Sequence, residues 1–257
     1  MRQGEASGTA QRVAAHRLTF DRVPAPYGDP AADERLARDV AGSIDVSRTS
    51  EQMVHYLAAR TAFFDRVVFG AVERGIAQVV IAAAGYDGRA LRYAKPSVQW
   101  FEVDHPDTQR DKLERLERLG IETTHIAFVA ADFAVDDIAV SLTNAGHHPD
   151  APSLFVCEGV AIYLEPPVLA ALLRGLRSVA IDGSRLAISL SLSSSSEAGS
   201  VRRDAFRAAV AAMGEPARTV LSQDDVDTLL TTTGWRARPS SSERARLAGL
   251  LVLEPTS

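Results

Sequence analysis

From Ser50 to Arg74 the apolar residues Met53, Leu57, Phe64, Val67, Val68 and Ala71 recur at three- and four-residue spacings, close to one helical face. Ser50 before them is an N-cap residue and Gly75 after them a stop, so the pattern predicts one long helix. Past Gly75 the texture changes. "QVVIAAAG", "VQWFEVD", "HIAFVAAD", "SLFVCEG" and "SRLAISLSL" are short apolar runs that predict successive strands. Between them lie helical segments: a short one from Arg89 to Tyr93, then "PDTQRDKLERLERLG", "VDDIAVSLTNAG" and "EPPVLAALLRGLRSVA". Strands alternating with amphipathic helices indicate an α/β fold whose parallel sheet is covered on both faces. After Ser193 the alternation stops. "SSSSEAGS" reads as a polar loop, followed by a helix near Val201 to Met213 and another in "SQDDVDTLLTTTG", with Ser222 as its N-cap. "WRARPS" and "LAGLLVLE" predict two closing strands, a hairpin joined by an Arg- and Ser-rich turn.

Composition narrows the class. A chain of 257 residues with 46% hydrophobic content can bury one large core, and nothing in it forces two independent domains. A net charge of -5 argues against a nucleic-acid partner, which needs surplus Lys and Arg on one face. The single Cys157 rules out a disulfide framework and a cysteine-rich zinc site, pointing to a reducing cytoplasm; set in an apolar strand, it reads as a core residue. No apolar run reaches the ~20 residues of a membrane span, so no membrane partner is expected. The N-terminal stretch has no signal-peptide pattern and reads as a loose arm as far as about Pro30, either frayed or ordering over a bound ligand. His147 and His148 fall in a surface-type loop without metal-ligand spacing, so no metal is expected.

Ligands of open α/β sheets bind beyond the carboxyl ends of the strands. The first strand ends at Gly85 with Asp87 beyond it, the second at Asp104, the third at Asp132 followed by Phe133, and the fourth at Glu158 followed by Gly159. Converging acids of this kind suit S-adenosylmethionine. A carboxylate about 20 residues past a glycine turn can accept hydrogen bonds from both ribose hydroxyls, which is where Asp104 stands. Asp132 can accept from an adenine amine, Phe133 offers an apolar wall and an N–H, and Glu158 can face an ammonium. With no pyrophosphate to hold, fewer glycines are needed than in a dinucleotide turn. Asp87 and Arg89 read as a structural pair bracing that turn.

"YLAARTAFFD", "AAAGYDGRALR", "FEVDHP" and "CEGVAIYL", in that order and spacing, resemble the leucine carboxyl methyltransferase family of class I methyltransferases, in its bacterial O-methyltransferase branch. The likeness runs from about Ser47 to Arg185. It implies a single Rossmann-like domain over 47–257, with a mostly parallel seven-stranded sheet and a C-terminal antiparallel hairpin. Residues 1–46 would form a helical arm and cap, and 193–220 a lid. It implies S-adenosyl-L-methionine as cofactor, Arg60 for the methionine carboxylate, Gly85 for the turn, Asp104 for ribose, Asp132 with Phe133 for adenine and Glu158 near the amino group. The activity implied is methyl transfer to oxygen, and the acceptor expected is a carboxylate of a small metabolite or natural product, with Tyr163 a candidate acceptor contact. Two departures stand out: Ala83-Ala84-Gly85 replaces the usual Gly-Ala-Gly, and Gly88 a usual Thr. Ala83 is expected on the last residues of the strand. Rival readings are a methyltransferase-like protein that binds without transferring methyl, such as a cyclase, and a nicotinamide-dependent dehydrogenase.

Overall fold

The computed structural model describes residues 6–42, 44–46, 49–193, 216–238 and 243–256. They divide into two compact units, residues 3–131 and 132–257. The first unit carries α1 (Gly8–Arg17), α2 (Pro30–Ala41), α3 (Glu51–Glu73), β1 (Gln78–Ala82), α4 (Arg89–Arg92), β2 (Gln99–Asp104), α5 (Pro106–Arg118) and β3 (Ile126–Ala130). Its strands are parallel in the order β3-β2-β1, with Val80 opposite Phe101 and Phe101 opposite Ala127. β1 is buried at every position, which is why its sequence is a continuous apolar run rather than an alternation.

The long helix forms as its pattern predicts. Ser50 caps α3 by accepting the Met53 N–H, and Leu57, Phe64, Val68, Ala71 and Val72 are buried. Met53 and Val67 are only half-buried, whereas Thr61 and Asp65 lie inside. The N-terminal segment differs from the loose arm expected: Ser7 caps a regular helix, α1, that packs on α2.

The second unit holds α6 (Ile138–Asn144), β4 (Ser153–Cys157), a 3-10 turn (Ala161–Tyr163), α7 (Pro166–Ser178), β5 (Arg185–Ser189), α8 (Gln223–Thr233), β6 (Trp235–Ala237), α9 (Glu243–Leu247) and β7 (Leu250–Pro255). β4 and β5 are parallel, while β7 runs antiparallel to both β5 and β6, so the order is β4-β5-β7-β6. The seven expected strands are thus all present, with the C-terminal hairpin. The link between its strands contains α9 rather than a simple turn. The helix expected near Val201 to Met213 lies outside the described residues. Trp235 anchors the hairpin: it is fully buried, meets Phe155 edge-on and donates its ring N–H to the Leu173 carbonyl at 3.0 Å. Cys157 is a core residue whose thiol burial pushes up to about 12. His147 corrects the surface-loop reading: it is buried, shares a 2.9 Å hydrogen bond with Ser153 Oγ, and burial lowers it to about 4.

Candidate functional site

In the first unit the chain leaves β1 and reverses through a backbone that ordinary side chains resist. Ala83 has φ 54° and Gly85 φ 50°, both left-handed. Ala83 is therefore not the last residue of the strand. It stands in the turn itself, at a conformation the family's usual glycine reaches freely and alanine reaches only with strain. The turn is nevertheless built: Ala84 N–H donates to the Val103 carbonyl at 3.1 Å and Asp87 N–H to the Ala84 carbonyl at 2.7 Å.

Gly85 and Asp104 are brought together directly, as Gly85 N–H donates to Asp104 Oδ2 while His105 N–H donates to Oδ1 at 2.6 Å. Each oxygen keeps a further lone pair, and the residue is half-buried, so the carboxylate is oriented but not saturated. Burial raises its pKa above the usual carboxylate range, with the two N–H donors pulling the other way.

Beneath the turn lies a set of buried charges. Arg89 is fully enclosed and joins Asp65 of α3 at 2.8 Å to Asp87 at 2.5 Å, donating also to the Thr61 carbonyl at 3.3 Å. Asp87 and Arg89 are thus the bracing pair expected. Arg22 makes a second clamp on Asp65, at 2.6 Å, and reaches Asp33 at 3.1 Å. Asp33 explains Gly88: a Cβ there would collide with the Asp33 carboxylate, which Arg92 also grips at 2.5 Å. Arg60 is half-buried on α3, its guanidinium 5.7 Å from the Tyr56 ring centre and one residue from the Thr61 carbonyl that Arg89 binds.

Helix α1 seats on this turn. A Cβ on Gly85 would come within 2.8 Å of Ala10 Cβ, so glycine is required for that close approach. Ser7 N–H donates to Thr108 Oγ1 at 3.1 Å, Gln11 reaches the Tyr86 hydroxyl at 3.4 Å, and Arg17 meets Asp87 at 3.3 Å. Nothing in the short, weakly patterned α1 sequence announced these contacts.

The remaining candidates belong to the second unit. Asp132 and Phe133 are half-buried. Asp132 Oδ1 accepts the Ala134 N–H at 2.9 Å, and the Asp132 N–H goes to Asp136 Oδ2 at 2.8 Å. Asp136 is therefore a loop brace, and Asp137 alone caps α6. Glu158, half-buried, follows β4; the next residue, Gly159, is left-handed at φ 72° and donates its N–H to Ser189 Oγ at 2.8 Å. Tyr163 ends the 3-10 turn, whose Ile162 carbonyl accepts from Arg218 N–H at 2.7 Å. Leu192 and Leu221 form a parallel bridge, pinning the two ends of the segment expected as a lid.

A profile of the family described as leucine carboxyl methyltransferase matches residues 9–177, well over half of the chain. The chain belongs to the leucine carboxyl methyltransferase family. Two relatives, from Mycobacterium avium and Mycolicibacterium paratuberculosis, are 34% and 37% identical over 202 residues. Both carry the name "Putative S-adenosyl-L-methionine-dependent methyltransferase", and in each case the match covers 70% of this chain and 64% of the relative, less than two thirds of its length. S-adenosyl-L-methionine is the cofactor that goes with this membership. Solved structures agree on the Rossmann-like fold. A DUF574 family protein from Streptomyces avermitilis superposes at TM-score 0.61 and 15% identity, covering 98% of each chain. The magnesium protoporphyrin IX methyltransferase of Synechocystis, with S-adenosylhomocysteine bound, superposes at TM-score 0.53 and 17% identity over 86% of this chain and 93% of its own.

Proposed function

We propose that this family member is an S-adenosyl-L-methionine-dependent O-methyltransferase acting on the carboxylate of a small metabolite or natural product in the cytoplasm. The observation that carries the cofactor half is Asp104, fixed at the end of β2 by two backbone N–H donors with lone pairs to spare. That arrangement fits a pair of vicinal hydroxyls, and at Gly85 beside it a Cβ would press on Ala10 of α1 and approach the Asp104 carboxylate. Arg60 is assigned to the methionine carboxylate, Glu158 to the amino group, and Asp132 with Phe133 to adenine. Among the described residues no helix is long and apolar enough to cross a membrane.

Bound cofactor supplies an electrophilic methyl group on a positively charged sulfur. A carboxylic acceptor, with an ordinary pKa near ~4, is already ionised at neutral pH and needs no proton-accepting side chain. The protein's own contribution is then orientation and exclusion of water, with Tyr163 assigned as a contact to the acceptor. Family membership argues against the dehydrogenase reading. The left-handed Ala83 bears on the binding-only reading, because the turn keeps its shape despite the added methyl.

The test is calorimetric titration with S-adenosylhomocysteine, then incubation of labelled cofactor with a panel of small carboxylic acids, read by mass spectrometry. Base-labile labelled esters are expected. Cofactor binding with label transferred only to non-carboxyl oxygens would overturn the acceptor class. Arg60→Ala should weaken S-adenosylhomocysteine by about 1.5–3 kcal/mol, the range for a hydrogen bond to a charged group; unchanged affinity would remove Arg60 from the site.

A further inference from the structure

Side chains two apart on a strand share a face, so Glu102 and Asp104 of β2 point the same way. Asp104 takes the Gly85 N–H at the entrance of the turn. Glu102 reaches its exit through an intermediary: Lys112 of α5 sets its ammonium 2.5 Å from Glu102 Oε2 and donates to the Asp87 carbonyl at 2.7 Å. Asp87 is the residue whose N–H closes the turn onto Ala84, so one face of β2 grips both ends of the bend that contains Gly85.

We infer that Lys112, anchored by Glu102, is a positioning residue for cofactor binding, fixing the Asp87 peptide and with it the approach to Gly85. The inference rests on assigning the 83–88 turn to the cofactor. Three further observations support it. Lys112 and Glu102 are each only 2% exposed, and a buried ion pair is a poor source of stability, often matched by apolar replacements. Glu102 Oε1 has no hydrogen-bond partner among the described residues, so the pair is arranged around its reach to the turn rather than around its own satisfaction. Lys112 is one of only two lysines among the chain's 28 Lys and Arg residues. A compact ammonium on a flexible stem can serve a carbonyl and a carboxylate at once in a narrow space, which a planar guanidinium fork does less readily. The other charges facing this pair are Asp87, itself held by Arg89 and Arg17, and Asp104.

The experiment titrates S-adenosylhomocysteine into wild type, Lys112→Met, Glu102→Gln, the double variant and Gly85→Val, with thermal melting of each. Lys112→Met is expected to weaken binding at least tenfold and to melt early, because it leaves the buried Glu102 carboxyl without its partner. The double variant removes both charges; its melting temperature should recover toward wild type while the tenfold affinity loss persists. Affinity that recovers together with stability would show a merely structural pair and overturn the inference. Wild-type affinity in Lys112→Met would do the same, and if that variant does not fold, the double variant alone decides. Gly85→Val separates the two levels. If it folds and still binds normally, the assignment of the turn has failed; if it abolishes binding while the double variant binds as wild type, only the role of Lys112 has failed.

Discussion

The two units bury polar atoms in opposite ways. In residues 3–131 the buried set includes Asp33, Asp65, Asp87, Glu102, Arg17, Arg89, Arg92 and Lys112. In residues 132–257 the described buried polar residues are neutral: His147, Ser153, Ser184, Ser189, Thr219 and Thr233. Taking charges out of water costs several kcal/mol per ion before pairing offsets it, so charges are an expensive way to fill a core. The first unit has a reason to use them. It must hold a turn with two left-handed residues and seat α1 against it, and directional ion pairs from α1, α3 and α5 fix that backbone where apolar contacts would let it slide. In the second unit Trp235 anchors the hairpin, and backbone-to-hydroxyl bonds such as Ser153 N–H to Ser184 Oγ at 3.1 Å tie the start of β4 to the residue before β5.

The largest effect that sharpens this contrast is expected from Arg89→Met. It strips the fully buried partner from Asp65 and Asp87 and should cost about 3–5 kcal/mol in denaturant unfolding. Ser153→Ala, which removes only a neutral hydroxyl from His147, should cost about 1 kcal/mol. Equal costs for the two would dissolve the comparison.

Next in size is pH dependence, where the units have opposite signs. Burial pushes Glu102 up to about 7 from its ordinary 4.5, against the pull of Lys112. A raised acid contributes stability that is present below its unfolded pKa and lost as pH rises through the folded one, so the Glu102 contribution falls between pH 4.5 and about 7. Burial lowers His147 from 6.5 to about 4, with His148 adding to the effect; its contribution is full above 6.5 and lost as pH falls toward 4. In the wild type the two slopes partly cancel. Melting temperatures across this range should therefore rise with pH more steeply in Glu102→Gln and less steeply in His147→Gln; parallel profiles for all three proteins would refute both assignments.

The smallest expected change is a gain. Ala83→Gly relieves a methyl from a left-handed backbone and should stabilise the chain by about 0.5–1 kcal/mol while leaving S-adenosylhomocysteine affinity close to wild type. A destabilised variant would mean that Ala83 is not strained.

Much of the first unit's frame was legible. The change from helical to strand periodicity after Gly75, the acid at Asp104 and the bracing pair Asp87–Arg89 are local or evenly spaced signals. The misses are long-range. Ala83 read as strand because apolar runs do not reveal where φ turns positive. Lys112 lies in the helical segment "PDTQRDKLERLERLG", and nothing local marks it out, because its burial depends on a turn 25 residues earlier. Gly88 looked like a lost threonine until Asp33, from a helix 55 residues away, proved to occupy the space. His147 read as surface because its burial comes from packing against β4, which no loop sequence encodes.

Asp104, held by the Gly85 turn, is proposed to receive the ribose of S-adenosyl-L-methionine. Calorimetric titration of wild type and Asp104→Ala with S-adenosylhomocysteine, and in parallel with methionine, tests it most directly. Wild type should bind S-adenosylhomocysteine tightly, Asp104→Ala should lose at least tenfold in affinity at unchanged circular dichroism, and methionine, which has no ribose, should bind both proteins alike. Equal affinities of the two proteins for S-adenosylhomocysteine would contradict it.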